Sequence, residues 1–582
     1  MRDINMKNTI SQIARIFAPL VLALSLAATA YAAVPGITGP TFNLTAQQAF
    51  LNQPDGEAIY SWGYGCNGAP AGFQPTLPNQ ACGLMQVPGP TMIVTEGQTV
   101  TINLLNGLPA AAGNTSMLFP GFNVCAATLN AATGACTGTA TGTAGLLTQE
   151  ATPGGTVTYT FVASAPGTHA YYSGTQGDLQ IEMGLYGAIV VLPAAVPANC
   201  TSGYHSANLM AESTWGETDF RLTNATGGKG AAYDHPGSCY DREYLFQWAE
   251  MDTRIHRQAQ AQVAARANCT AGSPGCSLNV QTEPYHPAYF LINGRSMPDL
   301  MDPNFAGEYP HQPYNGNPHM HPGELTLIRT IGQGRWQHPF HEHANHVRIL
   351  ARDGNLVLSG ASINTANNIS YNTPGGTPVS GPPLAGLLMF NTDTTPGESF
   401  DGIFYFTGRG LNWDPYGHHP VSSTSDPLAT LPCTPDANGY NSGAPAAVNF
   451  MEWCQDHNKP VQVAPFGDVA GGGPATLPDP NVFTNGQWYG GTPYLGPDAS
   501  LRAAMPTCQG NPYGTTTPNP PNANCTTLLP SNTQANPANE RGWAFMWHLH
   551  NEREITTNNV FPGGMLMMML VDSREFIIDE TN

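Results

Sequence analysis

Between Thr91 and Leu105 apolar and polar residues alternate around a Gly97 turn, and the same period of two returns in Thr156–Val162 (TVTYTFV). Side chains in a strand point alternately to opposite faces, so this pattern describes strands with one buried face. It predicts a β-hairpin over 91–105. Leu185–Leu192 (LYGAIVVL) is apolar throughout and reads as a fully buried strand. Further strands are expected at 243–248, 288–293, 324–330, 346–351, 400–406, 544–550 and 565–571. The 64 glycines and 52 prolines, against 10% charged residues, fit a loop-rich all-β protein. Helix-compatible runs are few, and 252–267 is one of them.

The N-terminus reads as an export signal. Arg2, Lys7 and Arg15 precede the apolar run 16–30, which ends in Ala30-Tyr31-Ala32, a small-x-small cleavage pattern. Residues 1–32 are therefore expected to be removed, placing the protein in the periplasm or outside the cell. No later stretch has the length and apolarity of a membrane span. The twelve cysteines suit an oxidising compartment. They fall into neighbouring pairs, 66/82, 125/136, 200/239, 269/276, 433/454 and 508/525, and sequential pairing is the working hypothesis. No Cys-x-x-Cys occurs, which argues against zinc ribbons and thioredoxin-like chemistry.

The formal charge is -20, with 20 basic and 40 acidic residues. Residues 1–32 hold three of the former and one of the latter, so the remainder carries about -22. Such a surface repels nucleic acid and anionic membranes. Gly63-x-Gly65-x-x-Gly68 formally matches a dinucleotide motif, but it contains Cys66 and leads into a Pro-rich loop rather than a helix. Hydrolase and nucleotide-triphosphatase motifs are absent.

The histidines carry the chemistry. His338-Pro-Phe-His341-Glu-His343 precedes an expected strand, and His548-Leu-His550 closes another. Residues i and i+2 of a strand share a face, so two His-x-His pairs on adjacent strands direct four imidazoles into one pocket. Imidazole suits copper, zinc, iron or nickel. Glu552 and Glu554 continue the alternation after His550, leaving open a mixed His/carboxylate site for manganese, iron or zinc, or simply a salt-bridged pair. His319, His321, His418 and His419 lie beside prolines in expected loops and read as surface residues, with a second copper site or a substrate entry as the alternative. The methionines at 565 and 567–569 read as a buried strand with flexible packing, with Cu(I) binding through thioethers as the alternative.

These segments resemble the multicopper oxidase family. HPFHEHANHVRILARDG is similar to its His-Pro-x-His-Leu-His-Gly-His motif, while INGRSMPD, HPGELTLIRTIGQG, TPGESFDGIFYF, WHLHNERE and FPGGMLMMMLVD resemble other strands of the same cupredoxin domain. PGPTMIVTEGQTVTINLLNGLP and GTHAYYSGTQGDLQIEMGLYGAIVVLP resemble the family's N-terminal cupredoxin domain. The resemblance implies two cupredoxin-like β-sandwiches, at 35–195 and 243–582, joined by a connector at 196–242. The second holds a Pro/Gly/Asn/Thr-rich insertion at about 411–540, read as a disulfide-stapled cover.

Carried over, His341 is a type-2 copper ligand, His343, His548 and His550 are type-3 ligands, and His338 is a type-1 ligand, with Met565 near the axial position. The departures are as informative. Leu549 stands where the family has its type-1 cysteine, and Glu554 where it has a second type-1 histidine. Leu118, Pro120, Tyr172 and Gly174 occupy the histidine positions of the N-terminal domain, and His169 is out of register for that role. One or two copper ions are expected rather than a full oxygen-reducing cluster. Three readings follow: an exported oxidoreductase acting on a small molecule or metal ion, a copper sequestration or delivery protein without catalysis, and a structural β-protein with a relic pocket. The resemblance also suggests a homotrimer.

Overall fold

The computed structural model describes residues 34–77, 79–215, 217, 230–359, 384–409, 432–455, 491–495, 507–508, 528–529, 541–572, 574 and 578. The chain folds into two β-sandwiches. In the first, one sheet runs in the order Gly167–Tyr172, Tyr186–Leu192, Met92–Thr95, Gly36–Thr38, Phe73–Gln74. The facing sheet runs Thr156–Val162, Thr99–Asn106, Thr41–Asn52, Ala58–Cys66.

The alternating residues do what their period requires. Val100, Ile102 and Leu104 point into the core opposite Phe161, Tyr159 and Val157 of the antiparallel neighbour. The expected 91–105 hairpin does not form. Met92–Thr95 lies in one sheet and Thr99–Asn106 in the other, so the turn at Gly97 (φ +84°) carries the chain across the sandwich edge. Both strands have apolar faces, and those faces meet across the core instead of lying side by side.

The second sandwich pairs the sheet Tyr289–Ile292, Arg242–Met251, Leu325–Gly332, Ser399–Tyr405, Val347–Arg352, Asn355–Leu356 with the sheet His319–Met320, Leu566–Asp572, Arg541–Leu549, His338–Glu342, Asn391–Thr394. Its core is aromatic and methionine-rich: Trp248, Phe340, Trp543, Trp547, Met565 and Met567 are all buried. Trp248 and Phe340, from facing sheets, sit with ring centroids 4.1 Å apart. Such contacts bury large apolar areas that dominate core energetics.

Among the described residues, two helices of 13 residues each flank the sandwiches. Thr253–Ala265, capped by the Asp252 side chain accepting from Arg254 N, realises the expected helix. Gly203–Trp215, in the connector, was not foreseen. The disulfides 66–82, 125–136, 200–239, 269–276 and 433–454 follow sequential pairing, and the 508/525 pair lies outside the described residues. The described part of the insertion places Phe450 and Met451 against Tyr204 and Ala211 of the connector helix and against Leu325. Among the described residues no helix is long and apolar enough to cross a membrane.

The sandwiches meet through buried polar contacts. Thr168 Oγ1 donates to Asp401 Oδ1 at 2.6 Å and accepts from Arg329 Nη1 at 2.9 Å, while Tyr233 donates to the other Asp401 oxygen. Arg329 also pairs with Glu243, so each buried charge has a partner.

Candidate metal centre

His338–Glu342 is itself a strand, not a lead-in to one. It pairs antiparallel with Arg541–Leu549, His341 directly opposite His548. That register places both His-x-His pairs at the same end of two neighbouring strands. Ring centroids lie 4.7 Å apart for His341–His343, 5.5 Å for His341–His548, 4.5 Å for His341–His550, 5.2 Å for His343–His548 and 5.2 Å for His548–His550. One nitrogen from each of His341, His548 and His550 falls within 4.8 Å of the others. His341 is buried, His548 half-buried and His550 exposed, so the cluster opens outward.

Its electrostatics suit ligation, which requires neutral imidazole. Burial pushes His341 down to about 3, helped by the like charges of His343 and His550. Burial also lowers His548, partly offset by its hydrogen bond to the Leu549 carbonyl. That bond, from Nδ1 at 2.9 Å, fixes the proton on Nδ1 and leaves Nε2 as the lone-pair nitrogen, 3.2 Å from His343 Nε2. Three or four convergent imidazoles, His341 and His548 among them favouring the neutral form, make a donor set that fits copper.

The structure does not bring His338 into this cluster. Its Nδ1 lies 3.0 Å from Glu554 Oε2 and its Nε2 3.0 Å from Glu250 Oε2. Burial alone would lower its pKa, but the hydrogen bonds to Glu250 and Glu554 raise it to about 9. Glu552 and Glu554 do not share a face: they sit on the 3-10 turn Glu552–Ile555, the first exposed and the second buried. Met565 is buried in the apolar core.

The first sandwich offers no ligands at the corresponding places. Leu118 is bridged to Tyr172, and a side-chain carbon at Gly174 would come within 2.8 Å of Leu118 Cγ, so leucine fills the space beside the glycine. His169 is buried with its ring 4.6 Å from Phe122.

His319 and His321 are buried rather than at the surface. His321 donates Nδ1–H to the Asp572 carbonyl and faces Glu217 through Nε2 at 2.9 Å. Glu217, His321 and Glu324 converge, but Arg242 binds both carboxylates and Arg574 lies 3.5 Å from Glu324, which makes the group an ion-pair network. His418 and His419 lie outside the described residues.

Two buried carboxylates escaped the sequence reading. Glu250, in a strand buried along its whole length, signalled itself only as a charge in the run REYLFQWAEM. Glu342, where the family motif has leucine, points into the core and accepts from Thr392. Burial raises its pKa to about 8.

Residues 83–196 match the family model described as multicopper oxidase. No curated protein sequence matches the chain. Similar solved structures include the multicopper oxidase mgLAC (13% identity, TM-score 0.38) and the blue copper oxidase of Nitrosomonas europaea (14%, 0.38), each alignment covering 91% of this chain and 85% of the other. The copper nitrite reductase of Nitrosomonas europaea is 17% identical with a TM-score of 0.34, covering 63% of this chain and 85% of that one. Residues 83–196 are thus similar to the multicopper oxidase family, within an all-β architecture of two sandwiches.

Proposed function

We propose that the protein is an exported copper-binding member of the multicopper oxidase lineage, with its metal held by His341, His548 and His550 and His343 at the edge of the site. The convergence of these four imidazoles from two strands in register carries the reading. All four come from one chain. Copper supplies one-electron redox capacity when bound. The chain's own part is to hold the imidazoles in place: His548 with its tautomer set by the Leu549 carbonyl, His341 kept unprotonated by burial, and His550 exposed where a small molecule or metal ion has access. Five disulfides among the described residues support export.

Leu549 buried in the core, where a thiolate would stand, favours binding and storage as the second reading, since a leucine side chain offers no ligand for an electron-accepting copper. Metal content after copper reconstitution and dialysis tests the site. One or two tightly held ions per chain, diminished by His341→Ala or His548→Ala, support it. Four ions would mean that histidines elsewhere complete a full cluster, and none would leave a structural scaffold. Oxygen uptake with phenols, Fe(II) or Mn(II) then separates an oxidase from a storage protein.

A further inference from the structure

The family resemblance assigns the ligands of a type-1 copper to His338, to positions 549 and 554, and to the neighbourhood of Met565. The fold does gather these four positions. His338 Nδ1 meets Glu554 Oε2 at 3.0 Å, Met565 N donates to the Glu554 carbonyl at 2.8 Å, and Leu549 N donates to the Met565 carbonyl at 3.3 Å. The donor set, however, does not fit copper. Leu549 has no lone pair, Met565 is packed in the apolar core, and Glu554 is turned to His338. A third side chain, Glu250, takes the other ring nitrogen of His338 at 3.0 Å. With a carboxylate oxygen on each side, both nitrogens donate, and no lone pair is left for a metal.

The carboxylates are themselves satisfied. Glu250 Oε1 accepts from Arg335 N at 2.5 Å and Trp336 N at 2.9 Å, and Glu554 Oε1 accepts from Asn551 Nδ2 at 2.8 Å. Glu250, His338 and Glu554 are 3%, 0% and 1% exposed, so this is a completed ion triad sealed from water.

We infer that the type-1 position has become a metal-free clamp, in which His338 between Glu250 and Glu554 positions the strand that carries His341. Glu250 belongs to the facing sheet, His338 to the strand leading into His341 and His343, and Glu554 to the turn that follows His548 and His550. The triad therefore fixes both histidine-bearing segments to each other and to the opposite wall. It also reaches the first sandwich: Tyr285 donates to Glu182 Oε2 at 2.6 Å and lies 3.3 Å from Glu250 Oε1. Only the consequence for His341 rests on the copper reading; the clamp itself does not.

The test compares the full-length protein with His338→Gln and Glu250→Gln, each as apoprotein and after titration with Cu(II). His338→Gln is expected to take up the wild-type number of copper ions, with affinity about tenfold weaker and an altered Cu(II) electron paramagnetic resonance spectrum. Glu250→Gln should shift both in the same direction by less, and it serves if His338→Gln does not fold. Loss of a copper equivalent in His338→Gln would overturn the inference by making His338 a ligand. Unchanged affinity and spectrum in both variants would overturn it by leaving a purely structural ion triad. If the wild type takes up no copper, the copper reading fails on its own. The clamp is then judged by hydrogen exchange of the 338–342 amides in the apoprotein: acceleration in His338→Gln sustains it, and wild-type protection overturns it.

Discussion

Burial normally favours neutral imidazole, yet His338 keeps its proton up to about pH 9 because two carboxylates face it. Its folded pKa lies above the unfolded value of about 6.5. The stabilisation is therefore complete below about pH 6.5 and lost as pH rises through 9. Urea unfolding across that window should show stability falling with alkali, and Glu250→Gln should flatten the slope. Glu342 shows the opposite economy of a buried acid: held neutral by burial, it leaves Oε2 without a hydrogen-bond partner among the described residues. Glu342→Leu is predicted to raise stability at neutral pH by about 1–3 kcal/mol, read from the denaturation midpoint. Neither effect was legible in the sequence. The letters show a charge in an apolar run, but only the facing strand reveals whether a partner waits there.

Most strands were legible, because alternation and apolar runs report directly on burial. Arg242–Met251, Leu325–Gly332, Val347–Arg352, Ser399–Tyr405 and Leu566–Asp572 each lie within a few residues of expectation. Pairing was less legible. Period two states which side chains face inward but not which sheet a strand joins, hence the chain crossing at Gly97. The His-x-His spacing placed four imidazoles on one side, since that argument needs only the pleat and two neighbouring strand ends. His338, assigned through the resemblance and not through that spacing, lies three residues from His341 and so on the opposite face of the strand. Close approach between elements also has a local signature. Gly294 has φ +84°, and an added Cβ would meet the Val87 carbonyl oxygen at 2.2 Å. Gly294→Ala should cost about 2 kcal/mol or more and lower the thermal midpoint.

At the scale of the whole molecule, the two sandwiches are joined by buried charge as well as by apolar contact. Removing the Thr168 hydroxyl strips one hydrogen bond each from Asp401 and Arg329, both buried. Thr168→Val is therefore expected to lose about 1–3 kcal/mol, seen as a lower denaturant midpoint. Limited proteolysis should then cut the 196–242 connector faster than in the wild type. The connector helix was missed because its polar residues gave little helical periodicity, while its contact with Phe450 and Met451 comes from more than 200 residues away. Leu118 and Gly174 fit as knob and hole, and that fit constrains which variants are accessible. A histidine introduced at 174 alone would collide with the leucine, and one introduced at 118 alone would stand against a residue that cannot ligate. At this pair neither substitution is useful without the other, so packing acts here as a ratchet that holds positions 118 and 174 out of metal chemistry.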